Sequence, residues 1–292
     1  MISVLIASYN RNVVNLIKEL HLQLTNSKVD FEIICLDDAS KSHKNIENLS
    51  LNNLSYCNFQ ELKDNIGRSA IRNLLASKAQ YNWLLFLDAD VLPTSSNFIT
   101  NYIKELESKE FSVFLGGIKY RDIDNNNLLR WNFGKKSEEI PVSIRKENPN
   151  KYFFTANFLI EKEKFNSIKF NEELLDYGYE DLLFSKELEK KQISIKQLEN
   201  EVFHLGIDEN LDFINKTKKA IKNLNILIEK GLLKKEDTKL SVLYFKLKKY
   251  KIIGFISVFL KFFEKKAIQN SSVFFYNLFR ISYLHLVVKN RK

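Results

Sequence analysis

The sequence predicts an α/β protein in which a mainly parallel sheet carries helices on both faces and is followed by a C-terminal helical region. Three observations lead to this prediction. Short apolar segments alternate with segments of helical periodicity over residues 2–205, a pattern typical of the βα units that build a parallel sheet. Polar clusters directly follow several of the apolar segments. From residue 210 onward the pattern is helical, with lysines and aromatic residues interleaved.

The individual elements follow from the apolar segments and from the residues that end them. The predicted strands cover residues 2–7, 31–36, 54–59, 83–87, 111–118, 153–160, 193–198 and 201–205. One predicted helix ends at about residue 24, and others cover residues 68–78, 95–109 and 180–191, the second of these capped by Ser95 or Ser96. Residues 119–150 are polar, contain three asparagines at 125–127 and two prolines, and predict an irregular excursion.

The charge distribution divides the chain into two parts. Residues 208–292 contain 19 basic and seven acidic residues, a net charge of +12, whereas residues 1–207 carry a net charge of −3. We therefore predict a near-neutral domain over residues 1–207 and a basic, aromatic-rich helical region over residues 208–292.

The start of the chain and its apolar segments bear on localisation. No signal peptide is expected, because Met1 leads directly into the first predicted strand. No uncharged apolar stretch reaches the roughly 20 residues that a membrane-spanning helix needs. We therefore expect the first domain to lie in the cytoplasm.

Four polar clusters follow predicted strands, at the edge where open α/β sheets bind their ligands. They are Ser8-Tyr9-Asn10, Asp37-Asp38, Asn65-Ile66-Gly67 and Asp88-Ala89-Asp90. Grouped carboxylates repel one another unless a cation or a hydrogen-bond donor compensates them. Mg²⁺ and Mn²⁺ prefer carboxylate oxygens and leave positions open for phosphates. The clusters therefore predict a metal–diphosphate site, although solvated loop acids also explain a single Asp-x-Asp.

These clusters and two further motifs resemble the large inverting glycosyltransferase family two. The segments are residues 3–11 (SVLIASYNR), 32–40 (EIICLDDAS), 65–73 (NIGRSAIRN), 85–90 (LFLDAD), 153–158 (FFTANF) and 177–181 (YGYED). They occur in the family's order. The first segment has Ala-Ser-Tyr where the family often has Pro-Thr-Tyr, and the Gln-x-x-Arg-Trp motif of processive synthases does not occur in the sequence.

The resemblance implies a GT-A fold, which is Rossmann-like, and a nucleotide-sugar donor. The residues that it places at the nucleotide are Ala7, Ser8, Tyr9, Asp38, Gly67, Arg72 and Asp88. Among them, Asp38 would accept a hydrogen bond from a uracil ring, a contact that suits a carboxylate; a turn-capping role is the alternative. Arg72 would approach the diphosphate, and a cation on the helix surface is its alternative.

The resemblance also implies a divalent metal, Mn²⁺ or Mg²⁺. Asp90 would bind it directly, and Asp88 would face the ribose or the metal. His204 follows a short predicted strand after the last motif, where several related transferases place a further metal ligand. A histidine that belongs to the core explains the same position equally well.

The catalytic base implied by the resemblance is Asp181. Inverting transfer needs a base that removes the proton of the acceptor hydroxyl, while the metal stabilises the departing diphosphate. Glu180 precedes this residue and would position the acceptor or the loop. Taken without the other motifs, both residues fit ordinary first-turn helix acids, which the helix dipole favours.

The C-terminal region combines cationic and aromatic residues at helical spacing. Residues 238–292 contain 12 basic residues, 12 aromatic residues and one acid, Glu264. Helices of this composition bind anionic bilayer surfaces, and packing on the first domain or in a homodimer is the main alternative. Single-stranded nucleic acid is the least favoured partner. We expect peripheral attachment to the cytoplasmic face of a membrane and no nucleic-acid partner.

The motifs together predict a metal-dependent inverting glycosyltransferase of the hexosyltransferase type. It would move one sugar from a nucleotide sugar, UDP-linked, to a glycan or lipid-linked acceptor in polysaccharide biosynthesis. One alternative is a sugar nucleotidyltransferase, but such enzymes carry a Gly-rich phosphate loop where this chain has Ser8-Tyr9-Asn10-Arg11. The other is an inactive transferase-fold adaptor at the membrane surface, which would have no need of grouped acids.

Overall fold

The computed structural model describes residues 1–107, 110–122, 128–173 and 177–290, and the chain forms two compact units. The first unit contains Met1–Arg121, Glu138–Leu175 and Glu180–Gly206; the second contains Asp122–Ser137, Asp176–Tyr179 and Ile207–Lys292. The predicted domain boundary, between residues 207 and 208, is one residue from Ile207, where the last segment of the second unit begins. That division places residues 122–137 and 176–179 in the first domain, whereas the structure assigns them to the second unit.

The strands belong to the first unit. In chain order they are β1 (Ile2–Ser8), β2 (Phe31–Asp37), β3 (Cys57–Glu61), β4 (Trp83–Asp88), β5 (Val91–Pro93), β6 (Val113–Leu115), β7 (Ile118–Lys119), β8 (Asn157–Glu161), β9 (Ile195–Gln197) and β10 (Val202–His204). The main sheet has the order β3-β2-β1-β4-β8-β6-β9 and is parallel except for β8, which is antiparallel to both neighbours. A smaller sheet has the order β5-β10-β7. The predicted mainly parallel sheet is confirmed.

The helices occur in both units. In chain order they are α1 (Val14–Ser27), α2 (Asn45–Asn48), α3 (Arg68–Lys78), α4 (Phe98–Leu106), α5 (Leu129–Ser137), α6 (Val142–Glu147), α7 (Lys162–Ile168), α8 (Glu180–Lys190), α9 (Asn210–Glu229), α10 (Lys239–Lys249), α11 (Ile252–Ser257), α12 (Leu260–Gln269) and α13 (Val273–Lys289). Two 3₁₀ turns cover Leu49–Asn53 and Pro149–Tyr152. The second unit contains α5 and α9 to α13.

Both faces of the main sheet are covered. Val4 and Leu5 are neighbours on β1 and point to opposite faces, and both are fully buried. On one face, Leu5 packs in a core with Leu75 of α3 and Phe184 of α8. Parallel strands that are buried on both faces have continuous apolar sequences, which is why the sequence locates β1, β2 and β4 to within one or two residues.

The predicted strand 111–118 is two strands that lie in different sheets, which corrects the prediction. β6 pairs with β8 and β9, whereas β7 pairs with β10. Gly117 has a φ of 86°, in the left-handed region that favours glycine. At Gly116, a Cβ would lie 2.1 Å from the carbonyl oxygen of Asn200. The strand therefore breaks at two glycines that an apolar pattern does not distinguish from the residues around them.

Residues 119–150 are largely helical where the structure describes them, which corrects the predicted irregular excursion. They contain α5, α6 and the start of a 3₁₀ turn, while the asparagines at 125–127 lie outside the described residues. Three residues of these helices are buried: Leu129 and Gly134 of α5 and Arg145 of α6. Because one of them is an arginine, the burial of α6 does not show in the hydrophobic pattern.

Arg145 connects α6 to the main sheet. Its side chain is 1% exposed, and it donates to the main-chain oxygen of Leu198 at 2.8 Å and to the side-chain oxygen of Gln197. Its Nη2 atom also lies 3.8 Å from Oε1 of Glu201. A buried charge that is hydrogen-bonded on several sides is strongly coupled to the surrounding structure, because its removal leaves several polar groups without a partner.

We expect Arg145→Ala to lower the free energy of unfolding by about 3–5 kcal/mol, because it leaves several buried acceptors without a donor and removes one of the two cations beside the Glu201 carboxylate. Urea unfolding followed by circular dichroism measures this change. The matched control is Lys146→Ala, an exposed residue on the same helix, which should change the free energy by about 0.5 kcal/mol or less. Equal stabilities of the two variants would contradict a structural role for Arg145.

The second unit is a group of helices, as predicted for the C-terminal region. Its core contains Leu129, Phe213, Ile214, Ala267, Tyr276 and Phe279. Two hydroxyls cap helices in this unit: Thr238 accepts the N–H of Ser241 at the start of α10, and Ser272 accepts that of Phe275 at the start of α13. Within the described part of the chain, no helix combines the length and the apolarity needed to cross a bilayer.

Candidate active site

The predicted strand-end clusters lie side by side at one edge of the main sheet. Ala7 of β1 is opposite Asp88 of β4, and Ser8 of β1 is opposite Asp37 of β2. The N–H of Asp38 donates to the carbonyl oxygen of Ser8 at 2.9 Å. These clusters converge because β1 lies between β2 and β4 in the sheet.

Asp38 is buried and holds the loop that leads into α3. Its carboxylate accepts the main-chain N–H groups of Ile66 at 2.7 Å and Gly67 at 2.9 Å, and its carbonyl oxygen accepts the side-chain amide of Asn65 at 2.9 Å. Gly67 has a φ of 86°, which favours glycine. Asp38 is therefore an anchor of this loop. Its contact with a uracil stays a prediction, which is compatible with this role because each carboxylate oxygen can accept more than one hydrogen bond.

The loop predicted to cradle the base is open to solvent on one side. Tyr9 is 59% exposed, so its ring is accessible for stacking on a base. Ser8 is buried, and its hydroxyl has no hydrogen-bond partner among the described residues. The roles of Ala7, Ser8 and Tyr9 in nucleotide binding stay predictions.

Arg72 is a buried cation and does not lie on the helix surface. Its Nη2 donates to Oδ1 of Asp88 at 2.8 Å and to the hydroxyl of Thr155 at 3.3 Å. The guanidinium carbon lies 5.4 Å from the ring centroid of Phe170. Nη1 is buried and has no hydrogen-bond partner within the described ranges. A buried donor without a partner costs about 1–3 kcal/mol, which an anionic ligand at this position would recover.

Asp88 is ionised at neutral pH in spite of its surroundings. Burial raises the pKa of its carboxyl. The opposite effect, from the charges of Arg72, Arg68 and His204 and from the hydrogen bond of Arg72, is larger, so the pKa lies below the usual value. Cations at ion-pair distance outweigh desolvation here. Asp88 is therefore a carboxylate that can accept hydrogen bonds or bind a cation.

Asp90 is held between Arg11 and Gly206. Its Oδ2 lies 3.3 Å from Nη2 of Arg11, and its main-chain oxygen accepts the N–H of Leu205 at 2.7 Å. A Cβ at Gly206 would lie 1.9 Å from Oδ2 of Asp90. A larger residue at position 206 would occupy the space of the carboxylate. Gly206 therefore permits the observed direction of the Asp90 side chain.

The smaller sheet brings His204 to the acidic motif. His204 of β10 is opposite Val91 of β5, the residue after Asp90. Its ring stacks on that of Tyr120 with 5.6 Å between the centroids, and its Nδ1 is buried without a hydrogen-bond partner among the residues described. The charge of His204 contributes to the lowered pKa of Asp88. This position fits a metal ligand, and that role stays a prediction.

Glu180 and Asp181 form the first turn of α8. Oε1 of Glu180 lies 3.5 Å from Nη1 of Arg68, and Oδ1 of Asp181 accepts the N–H of Leu182 at 2.8 Å. Burial raises the pKa of Asp181 to about 7, and the negative charge of Glu180 adds to the rise. The N–H of Leu182 and the charge of Arg72 oppose it. Asp181 is therefore partly ionised near neutral pH, as a general base requires.

Three of the five acids predicted to act at this site pair with an arginine, and a fourth, Asp38, accepts main-chain N–H groups instead. The pairs are Arg72–Asp88, Arg11–Asp90 and Arg68–Glu180. Asp181 forms no ion pair in the part of the chain that the structure describes. An acid that lacks a close cation keeps a high affinity for protons, so Asp181 differs chemically from its neighbours.

Three residues of the site were not predicted as functional. Arg11 and Arg68 lie inside the first and third motifs, at residues 3–11 and 65–73, and their positive charge was the only indication of a role. Gly206 lies just after the last predicted strand and carries no chemical group, so the sequence gives no indication of it. Its role follows only from the position of Asp90.

The donor atoms at this edge fit a hard divalent cation. Asp88 contacts Arg72 through Oδ1, and Asp90 contacts Arg11 through Oδ2, so each carboxylate has a second oxygen that is not part of its arginine pair. Nδ1 of His204 is a further donor atom without a hydrogen-bond partner among the described residues. Over the described ranges, no group of three His, Cys, Asp or Glu side chains is close enough to form a ready-made metal site. Mg²⁺ is commonly bound by one or two carboxylates together with substrate phosphates. The residues therefore fit a cation whose coordination a diphosphate completes.

The sequence matches one protein family over most of its first unit. The family model described as Glycosyl transferase family 2 matches residues 3–174, which is more than half of the chain. Among curated proteins, the chondroitin synthase of Escherichia coli is 30% identical over 150 residues, which cover 49% of this chain and 21% of that protein. The match therefore spans about a fifth of that relative's length.

Solved structures with the same fold cover nearly the whole chain. The crystal structure of S. aureus TarS 1-349 in complex with UDP is 17% identical, with a TM-score of 0.55, and the match covers 99% of this chain and 91% of that one. The mannosyltransferase PcManGT from Pyrobaculum calidifontis, in complex with GDP-Man and Mn²⁺, is 13% identical, with a TM-score of 0.61 and coverage of 99% and 86%. At these identities the likeness establishes the fold, and it confirms the predicted GT-A architecture.

Proposed function

The chain belongs to glycosyl transferase family 2 and is a glycosyltransferase, and we propose that it is an inverting, metal-dependent enzyme with a UDP-sugar donor. The observation that carries this proposal is the grouping of acids at the sheet edge: Asp88, Asp90 and Glu180 pair with arginines. Asp181, in the first turn of α8, has no ion-pair partner among the described residues, and burial raises its pKa. The proposed acceptor is a hydroxyl group of a glycan or a lipid-linked saccharide.

The donor would bind along the carboxyl ends of β1, β2 and β4. The unpartnered Nη1 of Arg72 is suited to a diphosphate oxygen, because guanidinium groups form strong charge-assisted hydrogen bonds with phosphates. Asp88 would accept a ribose hydroxyl. Asp38 would accept the imide N–H of uracil, and the exposed ring of Tyr9 would stack on the base.

In the proposed step, the acceptor oxygen attacks the anomeric carbon from the side opposite the diphosphate. The bond from the anomeric carbon to the acceptor oxygen forms as the bond to the diphosphate oxygen breaks, and the configuration inverts. The acceptor proton moves to the Asp181 carboxylate, and the electron pair of the broken bond leaves with the nucleoside diphosphate. A base with a pKa near the working pH is the most effective for such a transfer.

Charge on the departing diphosphate would be balanced by groups on both sides of the site. Asp88 and Asp90, with His204, are the residues that would hold Mn²⁺ or Mg²⁺, and such an ion acts as a Lewis acid toward phosphoryl oxygens. Arg72 would add a fixed positive charge that is already desolvated and oriented by Asp88 and Thr155.

The donor assignment predicts UDP binding that depends on a divalent metal. In titration calorimetry with Mn²⁺ present, UDP should bind at least about tenfold more tightly than GDP. EDTA should weaken UDP binding by about tenfold or more, because removal of the ion takes away a cation that bridges the carboxylates and the diphosphate. Asp90→Asn should remove most of this metal effect. Asp212→Asn, an exposed acid of α9, is the matched control and should behave as the wild type does.

Two results would contradict parts of this assignment. A clear preference for GDP, the nucleotide of the sugar donor bound by PcManGT, would overturn the choice of UDP. Equal affinity with and without EDTA would show that the arginines alone balance the diphosphate, and the enzyme would then be metal-independent.

A further inference from the structure

The second unit exposes a group of large apolar side chains on α11, α12 and the start of α13. We call this group the aromatic patch; its members are Phe255, Val258, Phe259, Phe262 and Phe274, which are between 45% and 77% exposed. Phe255 lies on α11, Phe262 on α12 and Phe274 on α13, while Val258 and Phe259 occupy the turn between α11 and α12. A contiguous apolar surface of this kind marks an interaction site.

Ring contacts make the patch continuous. The ring centroids of Phe255 and Phe259 lie 5.7 Å apart, and those of Phe262 and Phe275 lie 5.9 Å apart. Phe275 also contacts Phe274, with 5.4 Å between centroids. Phe263 links the two groups, with 6.2 Å between its ring centroid and that of Phe259 and 5.9 Å to that of Phe262. The exposed rings therefore form one surface through the half-buried rings of Phe263 and Phe275.

The surroundings of the patch are cationic. Exposed lysines lie on these segments and next to them: Lys249 ends α10, Lys251 directly precedes α11, and Lys261 and Lys265 are on α12. Glu264 is the only acid in the sequence after Asp237, and its carboxylate is paired with Lys218 of α9. The positive charge of the lysines is therefore not balanced by an acid from these segments.

We propose that the aromatic patch and its lysines bind the second unit to the surface of an anionic lipid bilayer. Aromatic side chains insert into the boundary between headgroups and acyl chains, while lysines contact the anionic headgroups. A second copy of the chain fits this surface less well, because a symmetric interface brings the same patch, and hence the same lysines, face to face. The anionic leaflet corresponds to the cytoplasmic face expected from the sequence. The proposal is independent of the donor and the reaction.

Sedimentation with lipid vesicles tests the proposal on the full chain. The protein should sediment with vesicles of phosphatidylcholine and phosphatidylglycerol and bind at least about tenfold more weakly to vesicles of phosphatidylcholine alone. High salt should weaken the binding without abolishing it, since salt screens the lysines but does not remove the apolar contact.

Two sets of substitutions separate the two contributions. Replacing the four lysines by glutamine (K249Q/K251Q/K261Q/K265Q) should weaken binding to the anionic vesicles by about 1,000-fold. The triple variant F255S/V258S/F274S should abolish the binding that survives high salt. The matched controls in the first unit are K18Q/K78Q/K104Q/K146Q and L22S/I46S, which replace exposed residues of the same types. Both controls should bind as the wild type does.

The expected pattern requires that all variants keep the wild-type melting temperature and UDP affinity, which shows that the fold and the donor site are intact. If the full chain ignores anionic vesicles, the proposal is wrong. A wild-type dimer that F255S/V258S/F274S converts to a monomer, without any lipid binding, would identify the patch as a subunit interface. Equal losses in the control variants would reduce the effect to net charge and overturn the assignment to this surface.

Discussion

Asp181→Asn should lower kcat by about 10³-fold and leave the affinity for UDP nearly unchanged. The amide cannot take the acceptor proton, and the base acts in the transition state and not on the bound nucleotide. The structure favours Asp181 over its neighbours because burial and the adjacent Glu180 raise its pKa to about 7. Steady-state rates of sugar transfer and titration calorimetry with UDP measure the two quantities.

Glu180→Gln is the matched control for this substitution. Glu180 pairs with Arg68, so we expect a smaller loss in kcat, about tenfold, from altered positioning. If the UDP affinity of Asp181→Asn falls in parallel with its rate, Asp181 is a structural or metal-site residue and not the base.

The pH dependence gives a second readout of the same assignment. In the wild type, kcat/KM should rise as the pH increases through about 7, because the base is active only when it is ionised. Removal of the negative charge of Glu180 should lower the pKa of Asp181, so the rise should move to lower pH in Glu180→Gln. In Asp181→Asn the residual rate should lack this rise.

The main sheet and its ligand-binding edge could be predicted from the sequence. The strands β1, β2 and β4 are buried on both faces, so their sequences are continuously apolar and end abruptly in polar residues. α3 begins at Arg68 and ends at Lys78, as predicted, because Gly67 and the residue pattern mark its start. A parallel sheet places such strand ends at one edge. The sequence therefore also predicted that Asp38 and Asp88 lie near each other.

The parts that failed depend on long-range contacts of single residues. The strand predicted at 54–59 begins later, at Cys57, because the residues before it form a turn in which Tyr56 has a φ of 58°. The burial of Arg145 depends on acceptors supplied by β6, β9 and the residues near them. Local periodicity contains no information on such partners, because a buried arginine and an exposed one have the same hydropathy.

The same reason explains why the charge balance of the site was not predicted. Asp88, Asp90 and Glu180 each have an arginine partner that lies in a different motif and on a different element. The sequence shows several acids that would repel one another if they were close together, and a bound metal ion is the simplest way to balance their charge. The structure shows three arginines that already neutralise much of this charge. The dependence of donor binding on a metal therefore has to be measured and does not follow from the acids alone.

Gly206→Ala should reduce kcat/KM by about 100-fold while leaving the free energy of unfolding within about 1 kcal/mol of the wild type. The added Cβ would lie 1.9 Å from Oδ2 of Asp90. The carboxylate is the end of a short side chain and can rotate away, so the fold survives. A displacement of the Asp90 carboxylate by about 1 Å, away from Arg11 and from the strand end, is enough to lower the rate by this factor.

Gly254→Ala is the matched control, because no atom lies within 4 Å of the Cβ that it would add. It should have wild-type activity and UDP affinity. Gly206→Ala should instead resemble Asp90→Asn in calorimetry, with UDP binding that no longer responds to EDTA. If Gly206→Ala retains full activity and a normal response to EDTA, the direction of the Asp90 side chain is unimportant, and Asp90 does not act at the diphosphate. A loss of stability comparable to the loss of activity would show that the glycine serves the fold alone.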